Sequence, residues 1–222
     1  MPFHGPATVE KLKQSIGFGD ITEMKALAEV SITTQGENRG SLNGVFAYKA
    51  PGRMRVKLFG PFGLTMSEVV ISNGLLQLSV PSKKALYEWS LPEIAFSALL
   101  NSRLRYEMET DGYLYVLVAY MPDVRNSEAV ARYFFDRTYL LNRAICLYKN
   151  GTGVMGAEFS EFNGRLPERI RLTLSNGLEL DIVLQEPEFT EGIPDEYFSS
   201  IKHEGMELKS FQEIFKDFAP LR

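Results

Sequence analysis

From about residue 27 to residue 186 the chain alternates apolar and polar side chains with period two, the pattern of strands that bury one face. Arg53-Met54-Arg55-Val56-Lys57-Leu58 alternates without a fault, as do Arg169-Ile170-Arg171-Leu172-Thr173-Leu174 and Leu178-Glu179-Leu180-Asp181-Ile182. Successive strand side chains point to opposite faces, so one face of each run is expected to meet water and the other something apolar. Turn signals punctuate the runs: Ala50-Pro51-Gly52, Gly60-Pro61-Phe62-Gly63, Asn73-Gly74, Asp111-Gly112, Asn150-Gly151, Asn163-Gly164 and Asn176-Gly177. Asn, Asp and Gly tolerate positive φ and suit tight hairpins. The punctuation predicts strands at 27–36, 40–49, 53–59, 64–72, 75–80, 83–89, 104–110, 113–120, 133–149, 152–162, 168–175 and 178–186, a long antiparallel meander. The stretch 120–132 fits either loop or helix.

Three helical segments flank or interrupt the meander. Thr8 is placed to cap a helix over 8–17, with Val9, Leu12 and Ile16 on one face and Gly17 as its stop. Ser90-Leu91-Pro92-Glu93 is a capping box with Pro early in the first turn, and it opens a helix over 91–101. Its run Ile94-Ala95-Phe96-Ser97-Ala98-Leu99-Leu100 is apolar almost all round, so it must be covered on more than one side. Such a helix is either core or a lid over an apolar pocket under a curved sheet. Ser210-Phe211-Gln212-Glu213 is a second capping box, and Phe211, Ile214, Phe215 and Phe218 form a stripe over 210–218 within a C-terminal extension, 187–222.

Length and composition narrow the classes. The 222 residues, 45% hydrophobic, fit one β domain over 1–222 with a sizeable core. Net charge is −4 with the signs interspersed, so the basic face of a nucleic-acid binder is missing. One cysteine, Cys146, permits no intrachain disulfide and no Cys-based zinc site, and His4 and His203 stand near opposite ends. No apolar stretch of about 18 residues is present to span a bilayer. Met1-Pro2-Phe3-His4-Gly5-Pro6 lacks a basic region followed by an apolar one, so the chain is expected either to act in the cytosol or to have lost an export segment that preceded it.

The common catalytic templates fail. There is no Gly-x-Ser-x-Gly elbow, phosphate loop or His-Glu-x-x-His helix, so neither an enzyme nor any cofactor or metal is expected. Cys146, in Ala144-Ile145-Cys146-Leu147-Tyr148, reads as a small buried hydrophobe. Gly17-Phe18-Gly19 reads as a helix stop, Asn150-Gly151-Thr152 as hairpin geometry, and Glu107 with Glu109 as a solvated strand face. What remains is apolar surface in unusual places. Gly60-Pro61-Phe62-Gly63 has the residues of a type I turn, with Phe62 at the tip, either folded back or exposed to touch something apolar. Leu114, Tyr115, Val116, Leu117 and Val118 are apolar on both faces, as in a central strand. A carrier would line a cavity with Met54, Val56, Leu58, Met66, Leu78, Tyr115, Leu117, Leu172, Leu180 and Ile182; a closed domain would pack the same residues tightly.

The order of these features resembles the LolA/LolB superfamily of bacterial lipoprotein carriers and receptors. The likeness rests on Tyr48-Lys49-Ala50-Pro51-Gly52-Arg53-Met54-Arg55-Val56, the Gly60-Pro61-Phe62-Gly63 turn, and an apolar helix after about six strands. It extends through Glu161-Phe162-Asn163-Gly164-Arg165-Leu166-Pro167-Glu168-Arg169-Ile170, the Gly192-Ile193-Pro194-Asp195 loop and Phe198, about residues 8–200. The resemblance implies a mainly β fold: a strongly curved antiparallel sheet forming an incomplete, half-open barrel with short helices as a lid. The lid would be helix 91–101, adding Ile94 and Leu99 to the apolar cavity. Pro61, Phe62 and Gly63 would form a membrane or transfer loop, with Phe where LolB-type receptors usually carry Leu. The implied partners are acyl chains of lipoproteins or lipids, a periplasmic carrier protein and the outer-membrane surface, and the implied location is the periplasm or the periplasmic face of the outer membrane. LolB-type receptors are anchored through a Cys after a signal peptide, neither of which occurs in this sequence, and segment 203–222 has no counterpart in the resemblance. Two further functions stay open: an envelope module that binds a protein partner or senses lipid, and a cytosolic β-domain with a filled interior.

Overall fold

The computed structural model describes residues 6–16, 21–34, 36–50, 52–73, 75–90, 104–120, 129–147, 153–174, 177–202, 204–210 and 213. The predicted lid 91–101, Phe211 and the rest of the C-terminal Phe stripe, and the Asn150-Gly151 turn lie outside them. Among the described residues, one α-helix, α1 (Val9–Gln14), precedes fourteen strands: β1 (Glu23–Thr34), β2 (Glu37–Lys49), β3 (Arg53–Phe59), β4 (Thr65–Ser72), β5 (Leu75–Val80), β6 (Ala85–Ser90), β7 (Arg105–Asp111), β8 (Leu114–Tyr120), β9 (Ala129–Phe135), β10 (Leu141–Leu147), β11 (Gly153–Asn163), β12 (Leu166–Leu174), β13 (Leu178–Phe189) and β14 (Glu207–Ser210). The protein is mainly β, and its chain forms two compact units, Met1–Asp20 with Ile94–Glu179, and Ile21–Glu93 with Leu180–Arg222.

In the first unit β7 to β12 form an antiparallel meander in chain order. The register sets Met108, Leu117, Tyr133, Ala144, Ala157 and Leu172 in one row across it. Ala119, Ala131, Ala144 and Ala157 are small, which leaves room above the sheet for Leu12 of α1. Leu12, Leu117 and Phe135 are wholly enclosed there. Thr8 caps α1, its Oγ1 accepting from Lys11 N at 3.3 Å, as the sequence predicts. Lys13 Nζ lies 4.9 Å above the Tyr106 ring, and burial pushes the Tyr106 hydroxyl pKa up to about 12.

The predicted strand 133–149 is two strands. Asp136 Oδ1 accepts from Thr138 N (2.8 Å), Thr138 Oγ1 (2.7 Å) and Leu140 N (3.0 Å), a side-chain turn that competes with the ladder. Tyr139 there has φ +63°. The preceding strand, β9, begins inside the stretch that fitted loop or helix.

The second unit orders its strands β14-β6-β5-β4-β3-β2-β1-β13. Consecutive strands β1 to β6 pair antiparallel, while β14, absent from the prediction, pairs parallel with β6. Neither unit's strand order returns on itself, so each sheet is open rather than closed into a barrel.

Candidate functional site

Alternation along β1 to β6 sorts their side chains onto two chemically different faces. On one, the register aligns Ala26, Phe46, Val56, Val69, Leu78 and Tyr87, six strands deep and apolar throughout. A second row runs Met24, Tyr48, Met54, Ile71, Leu76, and a third Ala28, Gly44, Leu58. Met24, Phe46 and Tyr87 are buried. Met54, Val56, Val69, Leu76 and Leu78 are only partly buried, so the middle of this face keeps apolar surface open. Gly44 is required in it: a Cβ there would stand 2.1 Å from Lys57 O and 2.9 Å from Leu58 Cδ2.

The opposite face carries Lys49, Arg53, Arg55, Lys57, Glu68 and Gln77. The alternation in Arg53-Met54-Arg55-Val56-Lys57-Leu58 predicted a solvated face, but a C-terminal strap, described over 191–202 and 204–206, packs on it. Lys49 Nζ meets Glu23 Oε1 at 3.0 Å and Asp195 Oδ1 at 2.8 Å, and donates to Ile193 O at 2.6 Å. Glu23 Oε2 accepts from Ile193 N at 2.6 Å. Arg53 pairs with Asp195 at 2.9 Å. Arg55 pairs with Glu68 at 2.5 Å, donates to Tyr197 O, and lies 5.4 Å from the Tyr197 ring. Beyond the charges, Ile193 and Phe198 pack on Ala47, and Ile201 packs on Val70 and Leu86. Gln77 Oε1 accepts from Ile201 N at 2.7 Å, and Ser79 Oγ lies 3.4 Å from Met206 Sδ.

These contacts shift the titrations. Hydrogen bonds from Ile193 N–H and Lys49 hold Glu23 below the usual carboxylate range, and Lys49 and Arg53 do the same to Asp195. Hydrogen bonds to Asp195 and Glu23 raise Lys49 above an ordinary lysine.

Between β3 and β4, Gly63 N donates to Gly60 O at 3.3 Å, but the turn is not the type I turn predicted, because Phe62 is left-handed at φ +63° and ψ 19°. Gly60 N donates to Leu64 O at 2.9 Å, closing the loop. Phe62 is 100% exposed and Leu64 66%, so two large apolar side chains stand at one hairpin tip.

The sequence-derived cavity residues divide. Met54, Val56, Leu58 and Leu78 share the apolar face of the second unit. Met66 does not: in β4 it alternates with Val69, is exposed, and sits at the hairpin neck where a Cβ on Gly60 would meet its Cγ at 2.6 Å. Leu180 and Ile182 lie partly buried on β13. Tyr115, Leu117 and Leu172 belong to the first unit, Leu117 enclosed in its core and the other two packed against that core. Ile94 and Leu99 lie outside the described residues. Sequence reasoning missed Phe46, Val69, Leu76 and Tyr87; the alternation through Val45-Phe46-Ala47-Tyr48 is hidden because both faces are apolar there. Among the described residues, no three His, Cys, Asp or Glu side chains come together as a metal site, and no helix is long and apolar enough to cross a membrane.

The sequence matches no family profile and no curated protein. Solved structures match the fold. A domain classed as an outer membrane lipoprotein-sorting protein from Vibrio parahaemolyticus aligns at TM-score 0.62 and 12% identity over 86% of this chain and 95% of its own. A LolA superfamily protein from Nitrosomonas europaea aligns at TM-score 0.59 and 12% identity over 86% and 96%. A DUF1329 family protein from Desulfovibrio piger aligns at TM-score 0.63 and 13% identity over 90% and 97%. At such identities the likeness is one of fold, and the fold is LolA/LolB-like.

Proposed function

We propose that this protein binds the acyl chains of lipids or lipoproteins in the bacterial cell envelope, without catalysing a reaction, and serves lipoprotein transport or outer-membrane localisation. The observation that carries this reading is the six-strand apolar row Ala26, Phe46, Val56, Val69, Leu78 and Tyr87, with its partly open centre. An acyl chain laid on that face gains about 0.8 kcal/mol for each methylene removed from water. Unbranched Met54 beside Val56 adapts to chains of different shape. The exposed Phe62 and Leu64 form the transfer loop, where burying one such side chain at an acyl boundary contributes about 1.5–3 kcal/mol. The chain would act in the periplasm or at the periplasmic face of the outer membrane, taking cargo from a carrier protein.

The test is titration of the full chain with a fluorescent fatty acid, together with native mass spectrometry after detergent-free purification. Saturable binding is expected, weakened at least about tenfold in Val56→Asp, where a carboxylate is set in the apolar row. Phe62→Glu is expected to bind the probe normally but to lose transfer of it to vesicles. A folded wild-type chain that binds no acylated ligand would overturn the reading. Loss of a protein partner alone in Phe62→Glu, with lipid transfer intact, would favour an envelope module that docks a protein.

A further inference from the structure

The first unit holds a groove of about 520 Å³ on the side of its sheet away from α1, and the acyl-binding reading makes no use of it. The register sets Phe134, Arg143, Glu158 and Arg171 in one row across β9 to β12, and alternation turns this row away from Tyr133, Ala144, Ala157 and Leu172. Leu114 lines the groove from the β7–β8 hairpin, so an apolar floor of Leu114 and Phe134 lies beside a charged wall.

The charges in that wall do not cancel locally. Arg169 is satisfied by Glu161 at 3.0 Å. Glu158 stands in register between two guanidiniums and, among the described residues, pairs with Arg171 at a loose 4.0 Å. Arg143 has no carboxylate partner among the described residues; its guanidinium lies 5.9 Å from the Phe134 ring. Within these four positions two guanidiniums face one carboxylate, although the groove lining as a whole balances Arg143, Arg169 and Arg171 against Asp111, Glu158 and Glu161, so the imbalance is local to Arg143. Arg171, about half exposed in a pair at the edge of contact distance, is held weakly and can turn toward a second anion. A planar guanidinium backed by an aromatic face presents its donors as a fork, the arrangement that suits phosphate and carboxylate. Asp111, paired in register with Leu114, repels a second anionic group from that end. The volume lies within the range of small-molecule sites.

We propose that this groove binds a ligand with one anionic head, a phosphate or a carboxylate, on an aromatic or short apolar stem. Arg143 takes the head, Arg171 leaves Glu158 to join it, and Phe134 with Leu114 covers the stem. The head can belong to a soluble metabolite or to a lipid, and probes of each kind separate the two sources.

The experiment is calorimetric and NMR titration of the full chain with phenyl phosphate, inorganic phosphate, phenol and dihexanoyl phosphatidic acid. Phenyl phosphate is expected to saturate one site, more tightly than inorganic phosphate or phenol, and to shift the Leu114 methyl resonances. Arg143→Gln is expected to weaken it about tenfold or more, the size of a lost charge-assisted hydrogen bond. Glu158→Gln, which removes the competing carboxylate, is expected to tighten it. Arg143 is exposed, so its variant should melt as the wild type does, and Phe134→Ala provides an independent loss of the floor. Equal affinity for inorganic phosphate would overturn the apolar stem. Affinity unchanged in folded Arg143→Gln, or no saturable binding, would overturn the site. Dihexanoyl phosphatidic acid weakened by Arg143→Gln points to a lipid source; if it is weakened by Val56→Asp alone, it binds the acyl face and the groove's ligand is soluble.

Discussion

Phe62 holds a left-handed backbone, φ +63°, with its ring entirely in water, so folding gains no burial from the ring and bears the steric cost of the dihedral. Phe62→Gly is accordingly expected to leave stability unchanged or raise it by up to about 1 kcal/mol in chemical denaturation, while weakening delivery to vesicles. Gly44 is the opposite case. A Cβ 2.1 Å from the Lys57 carbonyl forces two strands apart, so Gly44→Ala should cost about 1–3 kcal/mol. Gly156→Ala, with nothing within 4 Å of the added Cβ, should be nearly neutral in the same assay. The position of Phe62 at a turn was legible from Pro61 and the flanking glycines. Its dihedral was not, because the turn residues fit a type I turn and a bulky side chain seldom takes the positive φ that Phe62 and Gly63 adopt in succession.

Among elements, the C-terminal strap that carries Ile193, Asp195 and Phe198 is the least local. Its charged contacts titrate in a definite order. Glu23 and Asp195 have folded pKa values below the unfolded ones, so their contribution is present above about pH 5 and lost as pH falls through the depressed values. Lys49 is raised, so its contribution is present below about pH 10 and lost as pH rises through its folded value. Hydrogen exchange at Ile193 N–H should therefore be slow across the neutral range relative to the intrinsic rate, and lose protection below about pH 4, before the Leu117 amide in the first unit does. Phe198, 1% exposed, anchors the same element, and Phe198→Ala should cost about 3–5 kcal/mol by denaturation. The hairpins around Asn73, Gly112 and Gly164 follow from their turn residues, all at positive φ. The break at Asp136 was less visible, since an Asp in an apolar run signals a turn only once its carboxylate is seen taking three donors.

For the whole molecule, the acyl-binding reading makes stability depend on ligand. A chain saturated at about a hundred times its Kd should gain about 2.7 kcal/mol, which for a domain of this size raises Tm by about 5–10 °C. Calorimetry with and without fatty acid checks this, and Val56→Asp should abolish the rise. The mainly β character, the antiparallel meander and the strand faces were present in the chain because the two-residue period is a local consequence of backbone geometry. The same period could not say what each face would meet. Leu12 closes the apolar face of one unit, while the middle of the other unit's apolar face, around Val56, remains partly open. The face read as solvated lies under the strap, through contacts such as Lys49 to Ile193, 144 residues apart. Such closures depend on side chains brought together only when distant segments pack, and a pattern with a period of two carries no information at that range.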